Sequence, residues 1–302
     1  MTDNAGPPLI GRARDRAAVR RLQWNDVVLT YVVDGVVTVS ASEFFPEVTA
    51  EQWQPWSDLF DDHDTMLMSA GGLLVERGGR TLLIDTGIGP VETRLPFGSA
   101  DGGSMLEVLG SLGKQRADID VVAFTHLHFD HAGWAFTGNA DQLQRRTFPS
   151  ARYVVSEQEL IHPHLDAMSE RFVRPMAAAA ELISDGEEIF PGVRALAVSG
   201  HTPGHMAYII DTDVHVCVIV VGDAFHSPAQ ISHPEWSAVA DHDVAQGVAA
   251  RRTLLTELTH PNTIGFAYHF GDQPFGRVST DETGTARWTP VPSITIGPPP
   301  RT

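Results

Sequence analysis

The order of patterns along the 302 residues predicts an α/β fold of sheets covered by helices. Short apolar β runs alternate with segments of helical period. The theme runs through the chain twice and gives two similar halves. The third observation is chemical: residues of the metal-ligand types recur where predicted strands end, which is where open α/β architectures place their sites.

In chain order, residues 1–25 read as an N-terminal arm whose basic stretch, 12–21, is expected to be a solvated helix, free to pack on a neighbouring subunit. Residues 27–39 alternate around Asp34-Gly35, a hairpin-turn signal. A loop-rich insertion follows at 44–65. Strands are expected at 71–76 and 81–85, and a helix at 103–113. Val121-Val-Ala-Phe124 is a short apolar β run. A strand at 151–155 leads into helices at 156–169 and 172–184. The second half has strands at 194–199, 206–211 and 214–221, then a helix over 242–259 with Val244, Val248, Leu254, Leu255 and Leu258 on its apolar face. Strands at 264–269 and 286–290 precede a Pro-rich tail, 292–302. The candidate site residues run from 85 to 269, so any cut would divide them, and 1–302 is read as a single domain.

The most informative segment is Thr125-His-Leu-His-Phe-Asp-His-Ala-Gly-Trp134. It places His126, His128, Asp130 and His131 within six positions. Neutral imidazole and carboxylate are donors that zinc and its neighbours prefer. In an extended segment, His126 and His128 project to the same side, and the turn at Asp130 and His131 lets one loop serve two adjacent metals. One loop cannot close two metal sites, and three further residues fit. His201 lies in the turn Ser199-Gly-His-Thr-Pro-Gly-His205, Asp223 follows the apolar run 216–221 and Gly222, and His269 ends the run 264–269.

Taken with Asp85-Thr-Gly87, this ordered set resembles the metallo-β-lactamase fold superfamily, and the matching features span about 66–270. The resemblance implies an αββα sandwich, two mixed sheets flanked by helices, with the metals at one edge. It implies that His126, His128 and His201 hold one metal, that Asp130, His131 and His269 hold the second, and that Asp223 bridges them. Asp85 would orient the cluster from behind, the support that metal ligands need. Thr-His-Leu-His-Phe-Asp-His-Ala-Gly is similar to the N-acyl homoserine lactonases, and 222–236 to the methyl parathion hydrolase-related group. Those lactonases carry a tyrosine three residues after the bridging aspartate, where it contacts the substrate carbonyl; His226 stands there in this chain.

The chemistry expected of such a set is hydrolysis. Two metals about 3.5–4 Å apart share a hydroxide at neutral pH, which attacks an electrophilic carbonyl or phosphorus. Asp130 is the candidate to orient the nucleophile or carry its proton, and His226 the candidate donor to a carbonyl or leaving oxygen. His205 is expected to support the turn after His201. Phe44, Phe45, Trp53, Trp56, Phe60 and Trp134 are candidates for an apolar substrate pocket, against the alternative of ordinary core packing. His162, His164, His215, His233, His242 and His260 read as surface residues.

The reading is of a hydrolase with two zinc ions per chain, iron or manganese remaining open, acting on an apolar lactone or carboxylic ester. A phosphotriesterase-like hydrolase and a di-iron oxidoreductase are the alternatives. A net charge of −17 argues against a nucleic-acid partner. No G-x-S-x-G elbow supports a serine nucleophile. The single cysteine, Cys217, rules out an internal disulfide and reads as a small buried hydrophobe. The absence of a signal-peptide pattern and of an apolar run near 20 residues predicts a cytoplasmic, membrane-free protein, open to homodimerisation.

Overall fold

The computed structural model describes residues 8–61, 65–138, 145–161 and 168–296. Among these residues ten strands form one sheet and seven a second. The first sheet runs, edge to edge, from Ala180–Ile183 through Arg152–Ser156, Val121–Ala123, Arg80–Ile84, Thr65–Arg77, Val27–Ser40 and Arg20–Gln23 to Ile294–Thr295. The strands Glu92–Leu95 and Gly98–Asp101 form a hairpin attached to Val27–Ser40. The second sheet orders Glu188–Phe190, Val193–Ala197, Met206–Asp211, Cys217–Val220, Thr263–Phe266, Phe275–Thr280 and Ala286–Pro290. Each sheet mixes parallel and antiparallel pairs.

The inner faces meet in a core that includes Leu29, Tyr31, Leu82 and Ile84 from one sheet and Tyr208, Val220 and Phe266 from the other. Helices Met105–Ser111 and Glu170–Ala179 cover the outer face of the first sheet, packing around Phe124 and Val155. Helix Val244–Leu258 covers the outer face of the second, through Leu254 and Leu258 against Ile219. The architecture is the αββα sandwich. Among the described residues no helix is long and apolar enough to cross a membrane.

Several elements differ from expectation. Asp34-Gly35 is no hairpin turn: Val27–Ser40 is one strand, and its register against Thr65–Arg77 slips between Val33 and Gly35. The unpaired Asp34 makes a β-bulge, which flips the alternation of every later residue. Val27, Leu29, Tyr31 and Val33 face the inter-sheet core, whereas Val37 and Val39 face the outer layer. The bulge carboxylate then accepts from the backbone N–H groups of Gly89 (2.9 Å), Gly103 (3.1 Å) and Met105 (2.8 Å) and from Trp134 Nε1 (2.8 Å).

The basic stretch is not a solvated helix. Its backbone is tied to the body of the same chain, Ala17 N–H donating to Ser69 Oγ and Ala18 N–H to Asp272, and Arg20 is buried in an ion pair with Asp272. The helix expected to reach 184 ends at Ala179, because 180–183 pair in parallel with the open edge of Arg152–Ser156 and so satisfy their backbone groups. Of 156–169, Glu157–Ile161 is helical. Val244 is 55% exposed; the buried stripe of its helix is Gly247, Arg251, Leu254 and Leu258. Residues 294 and 295 of the tail pair with Arg20 and Arg21. The expectations for residues 1–7 of the arm, 62–64 of the insertion, 162–167 of the helix with His162 and His164, and 297–302 of the tail lie outside the described residues.

Candidate metal centre

The strand Val121–Ala123 delivers Thr125 to the sandwich edge, after which the chain stays extended through His128 and then makes the single helical turn Phe129–Ala132. This change of conformation splits the motif. His126 Nε2 and His128 Nδ1 lie 3.0 Å apart and meet His201 Nε2, which is 2.9 Å from His128 Nδ1. Asp130 and His131 turn to the other side, toward His269. Asp223 stands between the two groups. Its Oδ2 is 3.5 Å from His201 Nε2, and its Oδ1 is 2.9 Å from His131 Nε2 and 3.1 Å from His269 Nε2. Asp130 Oδ2 completes the second group, 3.7 Å from His269 Nε2. All seven residues expected as ligands come together in these two groups, within each of which the donor atoms lie within 4.8 Å of one another.

The surrounding hydrogen bonds fix which imidazole nitrogens are bare. Asp85 Oδ2 accepts from Thr125 Oγ1 (2.7 Å) and from His131 Nδ1 (2.8 Å), so the Thr125 hydroxyl, its one proton committed, accepts from His126 Nδ1 (3.0 Å). His201 Nδ1 donates to Asp241 Oδ1 (3.1 Å) and His269 Nδ1 to the Ser69 carbonyl (3.0 Å). The four Nε2 atoms are then lone pairs pointing inward. His131 Nε2, His269 Nε2 and Asp223 Oδ1 are buried and make no hydrogen bond despite their proximity. Electron-rich atoms packed this closely call for positive charge among them, and this imidazole and carboxylate donor set fits a divalent cation.

The electrostatics agree. Burial opposes charge on His131, yet Asp223, Asp130 and Asp85 raise its proton affinity well above the usual imidazole range. His269 is raised against burial by Asp223 and Asp130. Burial also opposes charge on Asp223, but His131 and His269 hold its carboxyl well below the usual range. The second group thus demands positive charge. His126 is pushed well below the usual range by burial and its neighbouring imidazoles, and His201 by burial over the opposing pull of Asp241, so both present neutral donor nitrogens.

Backbone geometry serves the same end. Asp85 holds φ 60°, in the left-handed region that costs a non-glycine residue about 1 kcal/mol or more, and its three accepted bonds keep it there. Gly222 has φ 56°, and a Cβ there would run into the His205 ring. His205 is buried, accepts from Asp223 N–H (3.0 Å) and donates to the Val198 carbonyl (3.3 Å). It supports the turn as expected, and burial pushes its imidazole down to about 4.

Three buried side chains behind the ligands were not anticipated. Glu159 accepts from Leu127 N–H (3.0 Å), Thr202 Oγ1 (2.7 Å) and Gly204 N–H (3.2 Å), joining the two ligand loops. Asp241 backs His201, and Arg251 pairs with Asp241 at 3.2 Å. Burial would raise the Asp241 carboxyl, but the bond to His201 and the charge of Arg251 hold it below the usual range.

A cavity of about 310 Å³ opens over both groups. His226 lines it, with Nε2 3.3 Å from Asp223 Oδ2, while its buried Nδ1 makes no hydrogen bond. Of the six aromatics expected to line a substrate pocket, Phe44 does so, its ring edge-on to His226 at 5.3 Å. The other five pack elsewhere. Phe45 and Phe60 each pack edge-on against Trp53, Trp56 stands in a separate cleft beside Trp288, and Trp134 donates to Asp34. Leu95 and Phe97 of the unanticipated hairpin, with Val37, Met68, Val239 and Ala240, take their place. Of the histidines read as surface residues, His215, His242 and His260 are exposed and His233 is half-buried against Trp236.

Two face-to-face sheets clothed in helices, with paired His/Asp groups at one edge, define a class of metal-site αββα proteins. The chain belongs to the metallo-beta-lactamase superfamily, whose profile matches residues 72–263. It is 30% identical over 126 residues to an N-acyl homoserine lactonase of Bacillus thuringiensis, a match covering 41% of this chain and 45% of that relative, so it spans less than half of the relative's length. A second N-acyl homoserine lactonase, from a Bacillus species, is 29% identical over 146 residues, 47% of this chain and 52% of the relative. Among solved structures, AidC, a dizinc quorum-quenching lactonase in complex with an N-hexanoyl-L-homoserine product, superposes with a TM-score of 0.79 over 92% of this chain and 98% of its own, at 20% identity. The hydrolase AbOPH superposes with a TM-score of 0.76 over 91% and 98% of the two chains, at 24% identity. Both likenesses are likenesses of fold.

Proposed function

We propose that the chain is a dinuclear metal-dependent hydrolase that opens a lactone or carboxylic ester carrying an apolar acyl group. The observation that carries this is Asp223, whose two carboxylate oxygens face two separate groups of inward-pointing donors beneath a mostly apolar cavity. His126, His128 and His201 would hold one ion, Asp130, His131 and His269 the other. When bound, such a pair supplies Lewis acidity and makes a nucleophile available from water near neutral pH.

This chain's own residues do the rest. Asp130, at the cavity floor, is placed to orient the nucleophile and hold its proton at Oδ. His226 lines the same cavity and is placed to give a hydrogen bond to the carbonyl or departing alkoxide oxygen, the role a tyrosine would fill at that position. Phe44, Leu95 and Phe97 offer apolar surface to an acyl chain and keep bulk water from the reacting carbon. The ligands come from both sheets, which supports 1–302 acting as one domain. The lactonase relatives favour a lactone over a simple ester.

The test is a hydrolysis panel of acyl homoserine lactones, simple lactones, aryl esters and an aryl phosphotriester, run with and without chelation. Chelator-sensitive lactone turnover is expected. His226→Phe should lower kcat about 10- to 100-fold with metal content unchanged. Faster turnover of the phosphotriester would replace the ester reading, and iron with no hydrolysis of any substrate would contradict both.

A further inference from the structure

We propose that Asp241 and Arg251 are positioning residues that hold, through one buried ion pair, both the His201 side of the metal centre and the outer wall of the substrate cavity. The inference rests on the hydrolase reading above and adds a coupling between ligand geometry and substrate fit.

Both side chains are completely buried, with Arg251 Nη1 3.2 Å from Asp241 Oδ2. The other Asp241 oxygen takes the His201 Nδ1 proton at 3.1 Å. The backbone ties the same pieces together: His242 N–H donates to the His201 carbonyl (3.0 Å) and Asp243 N–H to the Gly200 carbonyl (2.9 Å). The His201 ring is thereby fixed in tautomer and direction from the 241–243 turn.

The remaining donors of the guanidinium point to the cavity wall. Arg251 Nε donates to the Pro234 carbonyl (2.7 Å) and Nη2 to Ser237 Oγ (2.7 Å), while Nη1 also reaches the carbonyl of Ala224, the residue after Asp223 (3.4 Å). Pro234, Ser237 and Asp241 bracket the chain that carries Val239 and Ala240 into the cavity lining. Val239 N–H bonds the Phe44 carbonyl (2.9 Å), so the wall continues into the aromatic that faces His226. A helix position between Gly247 and Leu254 on a buried stripe is one where an apolar residue would cost less than a charged pair. The fork spends all its directions on the two things a hydrolytic site has to fix.

The pair separates by substitution. Arg251→Lys keeps a cation beside Asp241 but loses the fork. It should leave zinc affinity within about threefold of wild type while raising KM for a long-acyl lactone about tenfold and for a short-acyl lactone much less, with kcat little changed. Asp241→Asn removes the acceptor charge behind His201 and should weaken zinc binding about 10- to 100-fold. Zinc affinity is read by competition with a chromophoric chelator, folding by circular dichroism, and KM and kcat from both lactones. Should Arg251→Lys fail to fold, Ser237→Ala removes one arm of the fork alone and should raise the same KM ratio. Zinc affinity unchanged in Asp241→Asn, or an unchanged long-to-short KM ratio in the folded wall variant, overturns the inference and leaves the hydrolase reading standing. A wild type that binds neither zinc, manganese nor iron overturns both.

Discussion

Asp85 illustrates how much of the centre is decided by single atoms. Its Oδ2 receives two protons at once, from Thr125 and His131, and through Thr125 it sets the tautomer of His126. Asp85→Asn would place an amide proton or a weaker acceptor there, so metal affinity should fall about 10- to 100-fold with the fold retained; chelator competition against wild type checks this. Asp85 was legible through the Asp85-Thr-Gly87 motif and its resemblance to the superfamily, and the seven ligand-type residues through their places at strand ends. Glu159, Asp241 and Arg251 were not, since each is an ordinary charged residue of a helix or turn whose partners lie at least ten positions away. Cys217, expected as a small buried hydrophobe, is half-buried and packs against the outer core of the second sheet. Burial pushes its thiol up to about 11, so at pH 8 only about one molecule in a thousand carries the reactive thiolate. Because the shift is upward, labelling by a thiol reagent should be slow at pH 8 in the folded protein and rise about tenfold per pH unit. Rapid stoichiometric labelling at pH 8, as fast as in denaturant, would contradict that environment.

At the scale of elements, the strand Val27–Ser40 is the instructive case. Its alternation was plain in the sequence, and so was the Asp34-Gly35 interruption, but a turn and a bulge share the same local signal. Pairing decided between them, because the next strand, Thr65–Arg77, runs past the bulge on both sides. The outcome is functional: the bulge flips Val37 outward, where it lines the cavity, and turns Asp34 into a hub for the loops behind the centre. Asp34→Ala leaves four donors without their acceptor, two of them buried and two partly buried, and should cost about 3 kcal/mol, measured as a loss in denaturant midpoint at unchanged slope. The aromatic insertion taught the opposite lesson. Six large aromatics near the motif suggested a pocket, yet five found better partners in one another, in Asp34 or in a separate cleft. The residues that took their place, Leu95 and Phe97, sit on a short hairpin with no strong pattern of its own.

For the whole molecule, the sandwich edge is where two sheets, four ligand loops and the cavity converge, so metal binding and folding should be coupled. Ligands drawn from 126 to 269 close only in the folded chain. A cation binding the native state alone stabilises it by about 2.7 kcal/mol at a free concentration one hundred times its dissociation constant. Chelation should therefore lower the melting temperature, and added zinc should restore it in a concentration-dependent way. Sheets covered by helices were legible because strand and helix periods alternate, and the family resemblance sharpened this to the αββα order, while the edge strands Ala180–Ile183 and Ile294–Thr295 were hidden because short edge segments are shaped by the partner they find.

In the proposed function one carboxylate, Asp223, would join two metal positions into a single hydrolytic centre. The most direct measurement is metal content per chain of wild type and Asp223→Asn, purified without added metal, beside lactone turnover of the same samples. About two metal equivalents are expected in wild type and at most about one in the variant, with turnover disappearing with the lost metal. Equal metal content in the two proteins, or full lactone turnover by metal-free wild type, would contradict it.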